Sequence, residues 1–283
     1  MNFRTIGIVG AGTMGRGIAQ VCIQRGFDVA LNDVDAKALE KAAAAIEKQL
    51  ARAVEKGRIS AEDQAAAMSR LRLAPSLEDL AEVDLCIEAA TENPDLKLDL
   101  FRALEGVCSK EAIIASNTSS ISLTRIAGVC TLPERVIGMH FFNPVPVMEL
   151  VELIRALQTS DATFDAVSAF SERLGKSVVS VKDSPGFVVN RMLVPLINEA
   201  VFVLAEGLAE AEEIDKAMRL GANHPIGPLA LADLVGLDVC LYVLDVLYRE
   251  FSDSKYRACP LLRKMVDAGR LGRKSGRGFF EYA

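Results

Sequence analysis

The stretch Thr5-Ile-Gly-Ile-Val9-Gly10-Ala-Gly12-Thr-Met-Gly15 decides the fold of the first part of the chain. Its apolar start predicts a buried strand, its glycines predict a turn, and the apolar spacing from Gly17 to Arg25 predicts a helix. The next apolar run, Phe27 to Asn32, predicts a second strand, and Asp33 follows at its carboxyl end. A G-x-G-x-x-G motif between a strand and a helix, with an acid after the next strand, is typical of dinucleotide binding.

Each part of this motif has a physical reason. Gly10 permits the tight turn, Gly12 lets the backbone approach a pyrophosphate at the helix N-terminus, and Gly15 allows close helix packing. The Asp33 carboxylate can accept hydrogen bonds from ribose hydroxyls, which favours NAD over NADP. NADP stays possible, because Lys37 is close enough in sequence to neutralise a phosphate. The predicted cofactor-binding residues are Gly10, Ala11, Gly12, Thr13, Met14, Gly15 and Asp33.

Strand and helix patterns continue to alternate beyond Asp33. Helices are expected from Asp35 to Lys56, after Ser60, and from Asn93-Pro94 to Val107, with short apolar strands between them. Such alternation predicts an α/β fold with a Rossmann-type, doubly wound, mainly parallel sheet, whose ligands gather at the carboxyl ends of the strands. Polar residues fall at those ends: Glu88, Glu92, Asn117, Ser119 and His140.

One of only two histidines ends the apolar run that starts at Val136. The segment Asn143-Pro-Val-Pro146 predicts a turn after His140, because proline fixes φ and disfavours helix at the preceding residue. The apolar run from Met148 to Ile154 is then expected to return as a second strand and to bring Glu152 beside the imidazole. A carboxylate there can fix the ring tautomer for acid-base chemistry. The alternative is a buried core histidine and a glutamate on an exposed edge.

The pattern changes at Lys182-Asp-Ser-Pro-Gly186, so we expect a dinucleotide-binding domain over residues 1–183 and a smaller domain over 184–283. No strand pattern follows before the tail, which predicts an all-helical second domain. Its first helix carries Pro195, an expected kink. Several helices are apolar on more than one face, which predicts a homodimer formed through this domain. The glycine-rich tail from Leu271 is typical of a flexible terminus, although its aromatic residues must pack.

Composition narrows the possible partners. The 283 residues are 51% hydrophobic and 25% charged, with a net charge of -6, which argues against nucleic-acid binding. No run is long and apolar enough for a membrane span, and no targeting leader precedes the first strand. The six cysteines show no CxxC or other metal-ligand spacing. We therefore expect reduced core cysteines, no metal site and a cytoplasmic location.

Five segments in order resemble one known family, the short L-3-hydroxyacyl-CoA dehydrogenases, and most closely its bacterial 3-hydroxybutyryl-CoA dehydrogenases. The resemblance covers nearly the whole chain and rests on long motifs. These are Gly10-Ala-Gly-Thr-Met-Gly-Arg-Gly-Ile-Ala19, Glu88-Ala-Ala-Thr-Glu92, Ser116-Asn-Thr-Ser-Ser120, Gly138-Met-His-Phe-Phe-Asn-Pro-Val-Pro-Val-Met148 and Lys182-Asp-Ser-Pro-Gly-Phe-Val-Val-Asn-Arg191.

The resemblance implies an NAD-dependent oxidoreductase that interconverts (S)-3-hydroxyacyl-CoA and 3-ketoacyl-CoA in fatty acid or butanoate metabolism, as in β-oxidation. It makes His140 the acid-base catalyst, Glu152 its partner, and Ser119 and Asn190 the residues that hold the reacting end of the substrate. Lys56 corresponds to a lysine that contacts CoA, whereas Gln49 stands where some members have serine. The further cofactor contacts implied are Glu92, Lys97, Ser119, Asn143 and Lys274.

Two alternatives share these features. A non-CoA hydroxy-acid dehydrogenase of the gulonate 3-dehydrogenase kind would have the same glycine motif and histidine, and only the basic residues around Lys56 separate it. A non-catalytic protein of the lens-crystallin kind is also related to this family, but the presence of His140, Glu152, Ser119 and Asn190 argues against it.

Overall fold

The computed structural model describes residues 3–282, and the chain divides into two compact units, Met1–Ser184 and Pro185–Ala283. The described part of the first unit contains an eight-stranded sheet. Its strands are β1 (Thr5–Val9), β2 (Asp28–Asn32), β3 (Leu71–Ala74), β4 (Leu85–Glu88), β5 (Ile113–Ser116), β6 (Val136–Phe141), β7 (Leu150–Arg155) and β8 (Ser177–Lys182).

The strand order is β3-β2-β1-β4-β5-β6-β7-β8. Neighbours pair in parallel except β6 and β7, which are antiparallel. The order reverses between β1 and β4, and ligands of such sheets bind at the carboxyl ends of the strands beside this reversal. The predicted fold class, a doubly wound and mainly parallel sheet, is confirmed.

Helices alternate with these strands as the sequence predicted. They are α1 (Thr13–Gln24), α2 (Ala36–Glu55), α3 (Ala61–Met68), α4 (Pro94–Val107), α5 (Leu123–Ala127) and α6 (Asp161–Arg173). Ser60 and Asp63 form a capping box at α3, and the Asn93 side chain accepts from Leu96 N at α4. The prediction was wrong at α1, which begins at Thr13 rather than Gly17, because Gly12 is its N-cap and accepts from Arg16 N.

The sheet and these helices enclose a buried apolar core. Ile6 and Ile8 of β1 and Leu85 and Ile87 of β4 are fully buried. Burial of one such side chain stabilises the fold by about 1.5–3 kcal/mol. Because both faces of the central strands are covered, the polar groups that remain accessible lie at the strand ends.

The second unit is all-helical over its described residues apart from two isolated bridges in the tail, which confirms the predicted helical domain. Its helices are α7 (Val189–Ala205), α8 (Ala211–Gly221), α9 (Pro228–Val235), α10 (Leu237–Phe251) and α11 (Pro260–Asp267). Pro195 lies inside α7, and α11 was not predicted. Ile197, Leu244 and Leu262 are fully buried in its core.

The tail is not a loose terminus, contrary to the pattern of its glycines. Asp233 of α9 is 1% exposed, and its carboxylate accepts from Phe279 N, Phe280 N and the Tyr282 hydroxyl. Removal of that carboxylate would leave three part-buried donors of the tail without their acceptor. The tail is therefore an integral part of the second unit. Within residues 3–282, no helix meets the length and hydropathy needed to cross a bilayer.

Candidate active site

The glycine loop between β1 and α1 forms one wall of a cleft of about 680 Å³. Gly10 has φ +102°, and a Cβ there would lie 2.6 Å from Ala89 O, so only glycine fits. A Cβ at Gly15 would overlap Gly10 O, which shows how closely α1 approaches β1. At Gly12, by contrast, a Cβ would meet no protein atom within 4 Å. The open space before Gly12 is where a bound pyrophosphate fits, at the N-terminus of α1.

Asp33 lies in the same cleft, at the end of β2. One carboxylate oxygen accepts from Ala11 N at 2.7 Å and the other from Asp35 N at 3.0 Å. Each oxygen keeps a second lone pair, with which it can accept from a ribose hydroxyl. The neighbouring Val34 is fully exposed and apolar. Asp33 thus orients the glycine loop and also brings a carboxylate to the place predicted for the ribose.

His140 and Glu152 face each other across β6 and β7 as register partners. The distance from His140 Nδ1 to Glu152 Oε2 is 2.7 Å. His140 is 6% exposed and Glu152 is fully buried. Asn117 lies in the loop after β5. Its Oδ1 accepts from Phe141 N at 3.0 Å, so this loop is bound to β6. The structure therefore brings the predicted pair together, in the arrangement that holds an imidazole for proton transfer.

Ser119 lies in the loop after β5, held by Glu92. The Glu92 Oε1 atom accepts from Ser119 N at 2.8 Å, from Ser120 N at 3.1 Å and from the Thr118 hydroxyl at 2.6 Å. Burial opposes ionisation of Glu92, but Lys97 and these hydrogen bonds outweigh it and lower the pKa of Glu92 below its usual value. An ionised Glu92 thus orients the serine loop.

Lys97, predicted as a cofactor contact, is a buried residue of α4 with 1% exposure. Its Nζ atom donates to Glu88 Oε1 at 2.5 Å and lies 3.4 Å from Glu92 Oε2. The structure shows these carboxylates as its partners, and its side chain does not line the glycine-loop cleft. From this position Lys97 can affect the cleft through Glu92.

Asn143 is exposed in the turn after β6, beside a second cleft of about 360 Å³ that Gln49, Arg16 and the 144–147 segment also line. Lys176 stabilises this turn, because its buried Nζ donates to Val145 O at 2.6 Å and to Met148 O at 2.7 Å. The sequence analysis missed Lys176, because a lone lysine before a strand carries no pattern that predicts a buried ammonium.

Lys56 lies at the C-cap of α2 and is exposed, together with Lys48, Arg52 and Arg58. The predicted basic helix face is present.

Asn190 and Lys274 lie in the second unit, Asn190 in the first turn of α7 and Lys274 in a short 3-10 turn. Lys274 Nζ donates to Asp238 Oδ2 at 2.6 Å.

Glu88 was named in the sequence analysis only as a polar residue at a strand end, and no role was predicted for it. It ends β4, is fully buried, and binds Lys97, Ser116 and the backbone at Ala90. Its position at a strand end inside a motif was a usable signal. Among the described residues, no group of three or more His, Cys, Asp or Glu side chains is arranged to hold a metal ion.

Two family models match consecutive parts of this chain. Residues 5–184 match the 3-hydroxyacyl-CoA dehydrogenase NAD binding domain, and residues 186–282 match the 3-hydroxyacyl-CoA dehydrogenase C-terminal domain. The chain is 53% identical over 279 residues to a 3-hydroxybutyryl-CoA dehydrogenase of Bradyrhizobium diazoefficiens, with 99% of this chain and 95% of the relative covered. It is 50% identical over 282 residues to a probable 3-hydroxybutyryl-CoA dehydrogenase of Bacillus subtilis, with 100% and 98% covered.

A solved structure agrees with these matches. The crystal structure of (S)-3-hydroxybutyryl-CoA dehydrogenase from Ralstonia eutropha is 56% identical, covers all of both chains and superposes with a TM-score of 0.97. The matches confirm the family, the enzyme class and the NAD cofactor that the motifs predicted. The chain that carries this glycine loop, Asp33 and the His140–Glu152 pair therefore belongs to the 3-hydroxyacyl-CoA dehydrogenase family of NAD-dependent oxidoreductases.

Proposed function

We propose that this chain interconverts (S)-3-hydroxybutyryl-CoA and acetoacetyl-CoA with NAD. The observation that carries the proposal is the contact of 2.7 Å between His140 Nδ1 and Glu152 Oε2 at the end of β6. Support for the substrate comes from the names of relatives at 50% identity or more over nearly the whole chain. Because of those relatives, we favour this function over that of a gulonate dehydrogenase or of a non-catalytic protein.

The mechanism follows from the protonation states of His140. A bound nicotinamide supplies or accepts the hydride at C3 of the acyl group. In the oxidation direction His140 takes the proton of the 3-hydroxyl through Nε2, because Nδ1 faces Glu152. Glu152 stabilises the imidazolium that forms, since a buried carboxylate next to the ring carries the opposite charge. In the reduction direction the same imidazolium returns the proton to the C3 oxygen.

Ser119 supplies a second hydrogen bond to the reacting oxygen in this proposal. Its support is the Glu92 anchor, which fixes the serine backbone and leaves its loop with one defined geometry. Glu92, Lys97 and Asn143 keep the cofactor role that the motifs imply, with Lys97 acting through Glu92. We assign Asn190 to substrate binding and Lys274 to cofactor binding, because the C-terminal family model matches the segment that contains both residues.

Lys56 and its exposed basic neighbours bind the phosphates of CoA in this proposal. An ammonium on a helix face attracts a phosphate as a point charge, and Lys48, Arg52 and Arg58 add to the positive charge around Lys56. The acyl-CoA substrate therefore meets two separate features of the first unit. Its thioester end meets His140, and its nucleotide end meets α2.

We also propose a homodimer formed through the second unit and a cytoplasmic location. Large apolar side chains of that unit are exposed, among them Met192 at 70%, Leu208 at 76% and Leu220 at 77%. Exposed apolar surface of this kind is typical of a subunit interface. All six cysteines are free thiols, which suits a reducing compartment. Light scattering of the wild type and of Leu208→Asp and Leu220→Asp tests the dimer, and a monomeric wild type contradicts it.

The substrate proposal is tested by NADH consumption with acetoacetyl-CoA and by NAD reduction with (S)-3-hydroxybutyryl-CoA. Gulonate with NAD serves as the competing substrate. The proposal requires turnover of both CoA thioesters at a kcat/KM far above that for gulonate. Absence of turnover with either thioester, or a preference for gulonate, would contradict it.

A further inference from the structure

Glu88 is a buried carboxylate whose hydrogen bonds reach two separate parts of the site. Its Oε1 atom accepts from Ala90 N at 2.7 Å and from Lys97 Nζ at 2.5 Å, and its Oε2 atom accepts from the Ser116 hydroxyl at 2.6 Å. The residue is fully buried. A buried carboxylate is stable only when charge and hydrogen bonds compensate it, so these partners are fixed in place by the same interactions.

The first arm of this arrangement shapes the cofactor cleft. Glu88 holds Ala90 N, and residues 89–91 line the cleft beside the glycine loop. Ala89 N also donates to Val9 O at 2.7 Å, and the Gly10 position touches Ala89 O. A change in the Glu88 side chain would therefore move the wall against which the glycine loop packs.

The second arm leads to Ser119. The Ser116 oxygen that donates its proton to Glu88 accepts from Thr118 N at 3.2 Å. The Thr118 hydroxyl donates to Glu92 Oε1, which also accepts from Ser119 N. Thr118 joins the two sets of hydrogen bonds through its backbone N and its hydroxyl, so the position of the loop that carries Ser119 depends on groups that Glu88 holds.

Glu88 and Glu92 share one ammonium. Lys97 Nζ lies 2.5 Å from Glu88 Oε1 and 3.4 Å from Glu92 Oε2. Loss of the Glu88 charge would leave Glu92 as the nearest carboxylate, and the ammonium would move toward it. Glu92 would then turn toward Lys97 and weaken its hydrogen bonds to the serine loop.

We propose that Glu88 is a positioning residue of the proposed reaction: it holds Lys97 away from Glu92 and so keeps Glu92 available to orient Ser119. The same carboxylate fixes the cofactor-cleft wall at Ala90. This inference rests on the proposed function for the role of Ser119, but its cofactor arm does not depend on the substrate.

The test compares Glu88→Gln with Glu111→Gln, an exposed glutamate of the same unit. The NADH dissociation constant is measured by fluorescence without acyl substrate, and kcat is expressed per NADH-binding site, so unfolded protein does not count. Glu88→Gln is expected to weaken NADH binding and to lower kcat by about tenfold each, the scale of couplings within one hydrogen-bond network. Glu111→Gln is expected to behave as wild type.

Two further variants separate positioning from mere stability. Glu88→Gln/Lys97→Met also removes the ammonium that Glu88→Gln leaves without its first partner, so its kcat per NADH-binding site should lie closer to wild type than that of Glu88→Gln. Ser116→Ala removes the hydrogen bonds from Ser116 to Glu88 and from Thr118 N to Ser116 but keeps the bond from Ala90 N to Glu88, so it should lower kcat more than it weakens NADH binding. If Glu88→Gln does not fold, Ser116→Ala alone decides.

A Glu88→Gln protein with wild-type NADH affinity and wild-type kcat per site would overturn the proposal, even if it melts at a lower temperature. So would a double variant whose kcat per NADH-binding site is lower than that of Glu88→Gln, or a Ser116→Ala variant with wild-type kcat. Failure of the wild type to turn over acetoacetyl-CoA would refute the proposed function instead, and the NADH measurements would still test the cleft arm.

Discussion

Glu152 Oε2 lies 2.7 Å from His140 Nδ1 because the two residues are register partners on the antiparallel strands β6 and β7. Both strands are in the interior of the sheet, with β5 on one side and β8 on the other. The pair is therefore held by backbone hydrogen bonds rather than by a flexible loop. The register fixes the two backbone positions, and the hydrogen bond between the side chains holds them at this distance.

Glu152→Gln is expected to lower kcat by about 10- to 100-fold, less than loss of the imidazole itself. The amide keeps a hydrogen bond to the ring but no longer stabilises its positive charge. The pH profile for alcohol oxidation should therefore change, since proton transfer at the ring no longer has a carboxylate beside it. Glu149→Gln, at an exposed residue just before β7, is the matched control. An unchanged pH profile in Glu152→Gln would remove Glu152 from the mechanism.

Asp33→Ser is expected to reduce the preference for NADH over NADPH by about tenfold or more, equivalent to ~1.4 kcal/mol. The carboxylate repels the 2′-phosphate of NADP and accepts from the 2′-hydroxyl of NAD. The measurement is kcat/KM for NADH and NADPH with acetoacetyl-CoA. Asp35→Ser is the control, because serine preserves the cap that Asp35 gives α2. A wild-type preference for NADPH would refute this role of Asp33.

Lys56→Glu is expected to raise KM for acetoacetyl-CoA far more than KM for a truncated N-acetylcysteamine thioester. The truncated substrate lacks the phosphates that an exposed helix face can reach. Lys41→Glu makes the same charge change on α2 about 22 Å away along the helix and should leave both values near wild type. Equal effects of Lys56→Glu on both thioesters would assign Lys56 to an ordinary solvated surface.

Glu92→Gln is expected to reduce the loss of stability in acid. The pKa of Glu92 is below its usual 4.5, so its stabilising contribution is complete above about pH 4.5 and is lost as pH falls through the lower folded-state pKa. The free energy of unfolding, measured in urea from pH 7 to below 4.5, should therefore fall less steeply in the variant. Glu82→Gln, at an exposed residue, should retain the wild-type slope. Identical slopes for all three proteins would contradict this account of Glu92.

The sequence predicted the parts of the site that depend on local pattern. The glycine loop and Asp33 follow from strand, turn and helix spacing within one βαβ unit. The His140–Glu152 pair was predictable because a proline-containing turn joins two short strands, so the return strand is confined to few registers. The start of α1 was predicted too late, because Gly12 caps the helix before its apolar spacing begins. The tail was expected to pack its aromatic residues, but their partner Asp233 lies far away in sequence and could not be predicted from local pattern.

The Glu88–Lys97–Glu92 network shows the same limit within the site. Its members come from β4, the loop after it and α4, and they meet Ser116 of β5. Periodicity treats a lysine of an amphipathic helix as exposed, whereas Lys97 has two carboxylate partners that compensate its burial. Which charge pairs with which depends on packing between elements, and that information is not local in sequence.

The central claim, that His140 is the acid-base catalyst, is tested most directly by His140→Gln, with His224→Gln as control because His224 is the other histidine of the chain. Steady-state kcat with acetoacetyl-CoA and NADH is measured together with the NADH dissociation constant. The account predicts that His140→Gln loses about 10²–10⁴-fold in kcat with nearly unchanged NADH affinity, while His224→Gln stays close to wild type. Near-normal turnover in His140→Gln would contradict it.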